Sequence, residues 1–172
     1  GRLIDPMGDP IDGKPLDTEG ATWRPIDGPP PGPFERPIIT EMFSTGVRAI
    51  DSCLTFGCGQ RMGLFAGSGV GKSTLLGMIA RNSDADVNVV ALIGERGREV
   101  KEFVEDALGP EGMKKSVLVC STGDQPPLIR QKCLMTATAV CEYFRDQGKK
   151  VFLMTDTVTR CAMAGREVGL SI

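Results

Sequence analysis

The chain has 172 residues, 41% of them hydrophobic, and a formal net charge of −2, which is the composition of a globular domain with a core of its own. It contains no histidine, and this excludes Ser-His-Asp triads, histidine general bases and histidine-ligated metals within these residues. The charge gives no electrostatic reason to expect nucleic-acid binding, and no apolar run approaches the length that spans a bilayer.

The first 40 residues are rich in proline, with nine of the 12 prolines of the chain. Because proline fixes φ and lacks a backbone donor, this stretch is expected to form an extended connector and turns rather than helix. We expect residues 1–40 to lie against a domain formed by residues 41–172, or to link it to something upstream. The start at Gly1 is taken as the cut edge of a longer protein.

From residue 60 onward, apolar stretches alternate with helical ones. Strands are predicted at 61–66, 87–93, 116–121 and 150–155, and helices at 71–82, 97–108, 127–147 and 158–169. The strand cores are apolar at almost every position, most clearly at 87–93, where Asn88 is the one polar residue. This alternation predicts an α/β domain with a mostly parallel sheet that is covered on both faces.

The run Ala66-Gly67-Ser68-Gly69-Val70-Gly71-Lys72-Ser73-Thr74 lies between a predicted strand and a predicted helix, which is the context of a P-loop. Glycines let backbone N–H groups surround a phosphate chain at a positive helix N-terminus. Lys72 would reach the β- and γ-phosphates and Ser73 would bind Mg²⁺. The alternative is a glycine-rich turn that only joins strand to helix. The predicted nucleotide-binding residues are Gly67, Ser68, Gly69, Val70, Gly71, Lys72, Ser73 and Thr74.

An acidic residue, Glu95, lies just past the apolar strand 87–93, after Gly94. Ligands of parallel sheets bind at this edge, so Glu95 is a candidate to orient the water that attacks a γ-phosphate, with Arg96 neutralising charge on the transferred group. The alternative is an acid that favours the start of a helix. Arg98 and Glu99 are expected to be solvated helix residues.

A second acid, Asp156, ends the apolar strand 150–155. Alone it is a weak signal, because many strands end in aspartate for reasons of turn geometry. Downstream of a P-loop it predicts the second Mg²⁺ element. Arg160 follows one helical turn later and is predicted to brace Asp156 or Glu95, or to form a plain surface ion pair.

The six cysteines fall at no metal-ligand spacing. We expect them to be buried, reduced thiols, which suits a cytosolic protein.

Several runs of the chain, at 46–51, 59–63, 91–103, 138–149 and 156–160, together resemble the type III secretion ATPases, and most closely the flagellum-specific export ATPases. This family is related to the catalytic subunit of rotary ATP synthases. The resemblance implies a RecA-like P-loop NTPase core, truncated at the C-terminus, in which residues 1–40 pass from an N-terminal β-barrel into the ATPase domain. Ser52-Cys53, Thr155 and Cys161 depart from the usual family residues.

The resemblance also assigns roles. It implies ATP and Mg²⁺ as ligands, Lys72 as a phosphate contact, Ser73 and Asp156 as Mg²⁺ residues, Glu95 as the catalytic glutamate and Arg96 as a γ-phosphate contact. It further implies that an adenine-stacking aromatic, an arginine reaching the neighbouring subunit, a helical C-terminal domain and one core strand lie outside these residues. That strand would insert between the P-loop strand and the strand of Asp156.

The implied function is ATP hydrolysis coupled to protein export. The complete protein would form a hexameric ring in the cytoplasm, peripheral to an inner-membrane export gate, with stator and gate proteins and chaperone–substrate complexes as partners and no nucleic acid. The 172 residues alone would be weakly active or inactive. Two alternatives are a non-catalytic nucleotide-binding subunit of a rotary ring and a RecA-like nucleic-acid motor.

Overall fold

The computed structural model describes residues 1–67 and 69–171, so Ser68 of the predicted phosphate loop and Ile172 lie outside the described residues. The strands are β1 (Arg2–Ile4), β2 (Val87–Glu95), β3 (Ser116–Thr122) and β4 (Val151–Asp156). The α-helices are α1 (Arg48–Cys53), α2 (Lys72–Asn82), α3 (Gly97–Glu102), α4 (Gly109–Lys114), α5 (Pro127–Asp146) and α6 (Val158–Gly169). A π-helix (Phe103–Leu108) joins α3 to α4, and a short 3-10 helix covers Pro33–Glu35.

The four strands form one sheet in the order β1-β3-β2-β4, and every neighbouring pair is parallel. Leu92 of β2 is level with Cys120 of β3 on one side and with Asp156 of β4 on the other. The carboxyl ends of β2 and β4 therefore meet at one edge of the sheet. The predicted parallel α/β sheet is confirmed.

Two apolar layers cover the sheet. On one face, Val90 and Leu92 of β2 pack with residues of α2 and the π-helix. On the other face, Val89, Ala91 and Ile93 pack against α5 at Cys133 and Ala137. Because successive strand residues point to opposite faces, a strand buried on both faces must be apolar at almost every position. This explains the apolar run at 89–93 of β2.

All four predicted helical regions are present, but one of them is divided into two elements. The range 97–108 begins as α3 and continues as the π-helix, which ends at Leu108 before Gly109 with φ of 62°. Helices α1 and α4 were not predicted, because each has only six residues and too few turns to display helical periodicity. None of the helices in the described part of the chain is long and apolar enough to cross a membrane.

The predicted strand at 61–66 is wrong, since these residues have no regular secondary structure and Phe65 is 95% exposed. A strand requires a neighbour that accepts its hydrogen bonds. Strand β4 ends the sheet on this side and pairs only with β2 among the described residues. The apolar run therefore reaches the phosphate loop as an unpaired segment.

The start of the proline-rich segment lies against the domain, one of the two arrangements expected for it, and also joins the sheet as a strand that was not predicted. Strand β1 pairs with β3, the Arg2 Nε and Asp12 Oδ2 atoms lie 2.8 Å apart, and the Thr136 hydroxyl donates a hydrogen bond to the Pro6 carbonyl at 2.6 Å. Strand β1 has only three residues, too few for an alternating pattern to stand out. Residues 13–40 follow the prediction, with no helix or strand apart from the 3-10 helix.

Candidate functional site

The phosphate loop approaches α2 through glycines in left-handed conformations. Gly69 has φ of 76° and Gly71 has φ of 97°, values that side-chain-bearing residues rarely adopt. A Cβ atom added at Gly67 would meet no atom within 4 Å, so the loop leaves open space in front of its backbone. Helix α2 begins at Lys72, which places its positive N-terminal end at this space.

The loop opens into a cleft of about 820 Å³ at the carboxyl ends of β2 and β4. Nine of the predicted site residues line this cleft: Gly67, Gly69, Gly71, Lys72, Ser73, Thr74, Glu95, Asp156 and Arg160. Val70 is 69% exposed and is not part of the lining. The cleft thus brings the loop together with both predicted acids.

Lys72 and Asp156 form an ion pair within the cleft. The Nζ and Oδ1 atoms lie 2.6 Å apart, and the Asp156 side chain is only 12% exposed. The Thr157 hydroxyl donates a second hydrogen bond to Asp156 Oδ1 at 3.0 Å. The carboxylate is therefore held beside the lysine that the sequence assigns to the phosphates.

A β-bulge aims Glu95 into the cleft. The pairing of β2 with β3 shifts register between Ile93 and Glu95, and Gly94 between them has φ of 68°. Arg160 Nη1 lies 3.3 Å from Glu95 Oε1 and also donates a hydrogen bond to the Gly94 carbonyl. Of the roles left open for Arg160, the structure selects the contact with Glu95.

Glu99 lies beside Glu95, contrary to the expectation that it is a solvated helix residue. The pKa of Glu95 is raised to about 7, mainly by burial and secondly by a hydrogen bond with Glu99. The same hydrogen bond holds the pKa of Glu99 below its usual value. Their spacing of four residues is compatible with this contact but does not identify it, because the turn between β2 and α3 decides where Glu99 lies.

Arg96 does not line the cleft. Its side chain is 71% exposed and its Nη1 atom lies 3.4 Å from Glu99 Oε1. The γ-phosphate contact of Arg96 therefore stays a prediction.

The donors in the cleft fit a magnesium ion. Asp156 supplies a carboxylate and Ser73 a hydroxyl, both on the cleft wall. The described residues contain no group of three or more acidic, cysteine or histidine side chains that could hold a metal by themselves. Mg²⁺ suits such a sparse set, because it usually binds one or two carboxylates together with substrate phosphates and water.

All six cysteines are free, as expected, and Cys120 and Cys133 are buried. Cys53 is exposed, so the expectation of burial is wrong for that residue. It lies on α1, which was not predicted.

Residues 46–172 match the family model described as the ATP synthase alpha/beta family, nucleotide-binding domain. A flagellum-specific ATP synthase of Bacillus subtilis (strain 168) is 57% identical over 171 residues, covering 99% of this chain and 39% of the relative. A type 3 secretion system ATPase of Xanthomonas euvesicatoria is 51% identical over 175 residues, covering 99% of this chain and 38% of the relative. The chain thus spans about two fifths of the length of the curated relatives it matches.

Solved structures agree with these matches. A prototypical ATPase from the type III secretion system of pathogenic bacteria superposes with a TM-score of 0.91 at 53% identity, covering 99% of this chain and 48% of that one. The assembled ATPase EscN in complex with its central stalk EscO, from enteropathogenic E. coli, gives 0.89 at 53% identity, covering 99% and 42%. This chain belongs to the ATP synthase alpha/beta family, within its branch of flagellar and type III secretion ATPases.

Proposed function

We propose that the protein hydrolyses ATP to drive protein export through a flagellar or type III secretion apparatus. One observation carries the proposal: Glu95 lies in the same cleft as the phosphate loop, in a chain that belongs to the export ATPase branch. The catalytic roles of Glu95, Lys72 and Arg96 are part of this proposal.

The phosphate loop and Lys72 bind the phosphate chain of ATP. Backbone N–H groups and the N-terminus of α2 provide partial positive charge, and Lys72 provides a full one. To contact the phosphates, Lys72 leaves its ion pair with Asp156. Ser73 and Asp156 would hold Mg²⁺, which when bound neutralises charge on the β- and γ-phosphates.

Glu95 orients and polarises the attacking water. Its side chain is only 10% exposed, so the base acts in a site that excludes most bulk solvent. Arg160 favours the ionised form of Glu95 through its positive charge, whereas burial and Glu99 favour the protonated form. These opposing contacts hold the pKa near the pH of the cell, where a general base is most effective.

Assembly completes the site. Relatives include an assembled EscN ATPase with its central stalk EscO, and this supports a ring of identical subunits, which we propose to be hexameric. An arginine from a neighbouring subunit would stabilise the transition state, a contribution of about 10³–10⁵ in related sites. Residues 1–172 alone are therefore expected to turn over ATP very slowly. The remaining proposed partners are stator, gate and chaperone–substrate complexes at the cytoplasmic face of the inner membrane.

The proposal is tested by measuring Mg-ATP hydrolysis by the full-length protein over a range of protein concentrations. We expect turnover per subunit to rise with concentration as the ring assembles, and to fall at least about a hundredfold in Lys72→Ala. Absence of hydrolysis despite assembly and ATP binding would instead favour a non-catalytic ring subunit. Stimulation by single-stranded RNA would favour a nucleic-acid motor.

A further inference from the structure

Helix α2 and the π-helix approach each other so closely that their backbones are in contact at Gly77. Gly77 is buried, and a Cβ atom added there would lie 2.5 Å from the Ala107 carbonyl oxygen and 2.8 Å from the Ala107 Cβ. Real Cβ atoms essentially never come nearer than 3.0 Å to such atoms, so any side chain at this position would force the helices apart by about half an ångström or more.

Glycine in a helix interior is unfavourable relative to alanine, because it loses more conformational freedom on folding. Glycine is nevertheless required at position 77, because the backbone of Ala107 lies too close to leave room for a side chain. The neighbouring element is a π-helix, a form that occurs mostly as short segments and often near functional sites.

The two elements that meet at Gly77 also line the cleft. Helix α2 contributes Lys72 and Ser73, which belong to the phosphate cradle, whereas the π-helix contributes Phe103 and Ala107, and α3 directly before it contributes Glu99. Helix α3 begins two residues after Glu95 and continues directly into the π-helix. The separation of the helices at Gly77 and Ala107 therefore fixes how far the cradle lies from the two glutamates.

We propose that Gly77 is a positioning residue for hydrolysis: its missing side chain sets the distance between the phosphate cradle and the Glu95–Glu99 pair. This inference rests on the proposed ATPase function. Because Lys72 and Ser73 lie on the same helix as Gly77, the cradle moves as a unit when the helices separate. Phosphate binding is then retained while the alignment of the water with the γ-phosphate is lost.

The test compares full-length wild-type protein with Gly77→Ala. We expect kcat to fall about tenfold to a hundredfold, since a displacement near 1 Å can have this effect, while affinity for a non-hydrolysable ATP analogue stays within about threefold. Gly165→Ala is the matched control, because the nearest atom to a Cβ at Gly165 of α6 is Gln131 Nε2 at an ordinary 3.6 Å. This control should keep the wild-type kcat.

A wild-type kcat in folded Gly77→Ala, or an equal loss of kcat and nucleotide affinity, would overturn the inference. If Gly77→Ala does not fold, the double variant Gly77→Ala/Ala107→Gly carries the test, because it removes the facing methyl group but keeps the carbonyl contact. It should show a reduced kcat at unchanged affinity, and a wild-type kcat would overturn the inference. Absence of hydrolysis in the wild type would contradict the proposed function itself.

Discussion

Lys72 and Asp156 pair with each other across the cleft, with Nζ and Oδ1 2.6 Å apart, so the residue assigned to phosphate and the residue assigned to metal neutralise each other in this structure. The phosphates of ATP must compete with Asp156 for the lysine. Removing the carboxylate should therefore have opposite effects on binding and on hydrolysis.

Asp156→Asn should tighten the binding of ATP without Mg²⁺ by up to about fivefold, because a partly exposed ion pair contributes up to about 1 kcal/mol. Hydrolysis of Mg-ATP should fall at least about a hundredfold, since the metal loses its carboxylate. Calorimetric titration with and without Mg²⁺ measures the first effect. The control is Asp146→Asn, which removes a carboxylate paired with Arg24 outside the cleft. Weaker ATP binding without Mg²⁺ in Asp156→Asn would contradict competition for Lys72.

The pH dependence of hydrolysis should report the environment of Glu95. Its raised pKa of about 7 means that the base becomes ionised, and kcat/KM increases, as pH rises through about 7. The same shift affects folding: the folded state binds this proton more tightly than the unfolded chain, whose value is about 4.5. This contribution to stability is therefore fully present below pH 4.5 and lost as pH rises through about 7.

Glu99→Gln should move the acidic limb of the kcat/KM profile to lower pH. The substitution replaces the charged acceptor of the Glu95–Glu99 hydrogen bond with a neutral amide, which weakens both contributions of Glu99 to the raised pKa of Glu95. Glu102→Gln is the control, because Glu102 lines the same cleft but is not among the groups that shift Glu95. Equal profiles for wild type and Glu99→Gln would show that Glu99 does not govern the ionisation of Glu95.

Arg160→Gln should move the acidic limb of the kcat/KM profile in the opposite direction, to higher pH. The positive charge of Arg160 lowers the pKa of Glu95. Without this charge, the raising effect of burial is less opposed and the pKa of Glu95 rises. Arg160→Lys keeps the positive charge near Glu95, so the limb should lie closer to its wild-type position than in Arg160→Gln. Arg130→Gln, which breaks an ion pair with Glu167 outside the cleft, should leave the profile unchanged. A downward shift in Arg160→Gln would contradict this assignment.

Asn88 should matter for stability rather than chemistry. Its side chain is fully buried in β2 and its Nδ2 atom donates a hydrogen bond to the Ala80 carbonyl of α2 at 2.7 Å. Asn88→Ala should lower the free energy of unfolding by about 1–3 kcal/mol, because the Ala80 carbonyl loses its partner in a buried position. Urea denaturation measures this loss. Asn82→Ala removes an exposed side-chain hydrogen bond to Met78 on the same helix and should change stability by less than about 0.5 kcal/mol; equal losses would contradict the role of burial.

The sequence predicted the parts of the site that follow from chain order. The glycine loop, Lys72, Glu95 and Asp156 each stand at the junction between a strand and a helix, and parallel strands bring such junctions to one edge. Glu99 was not recognised as a site residue, because the direction of its side chain depends on the bulge at Gly94 and on the start of α3. These are geometric details that residue spacing alone does not specify.

The errors in the fold have a related cause. The apolar run 61–66 satisfies the composition of a strand, but pairing depends on neighbours elsewhere in the chain, and the described residues provide none. Strand β1 and the π-helix are short elements whose form is decided by packing against β3 and α2. Local sequence pattern carries little information about either.

The most direct test is Mg-ATP hydrolysis by the full-length protein, wild type against Glu95→Gln, with nucleotide binding measured in parallel. The substitution keeps the size of the side chain and removes the base. We expect Glu95→Gln to bind Mg-ATP with near wild-type affinity and to lose turnover by at least about a hundredfold. Unchanged turnover in Glu95→Gln would contradict the assignment of Glu95 as the residue that activates water.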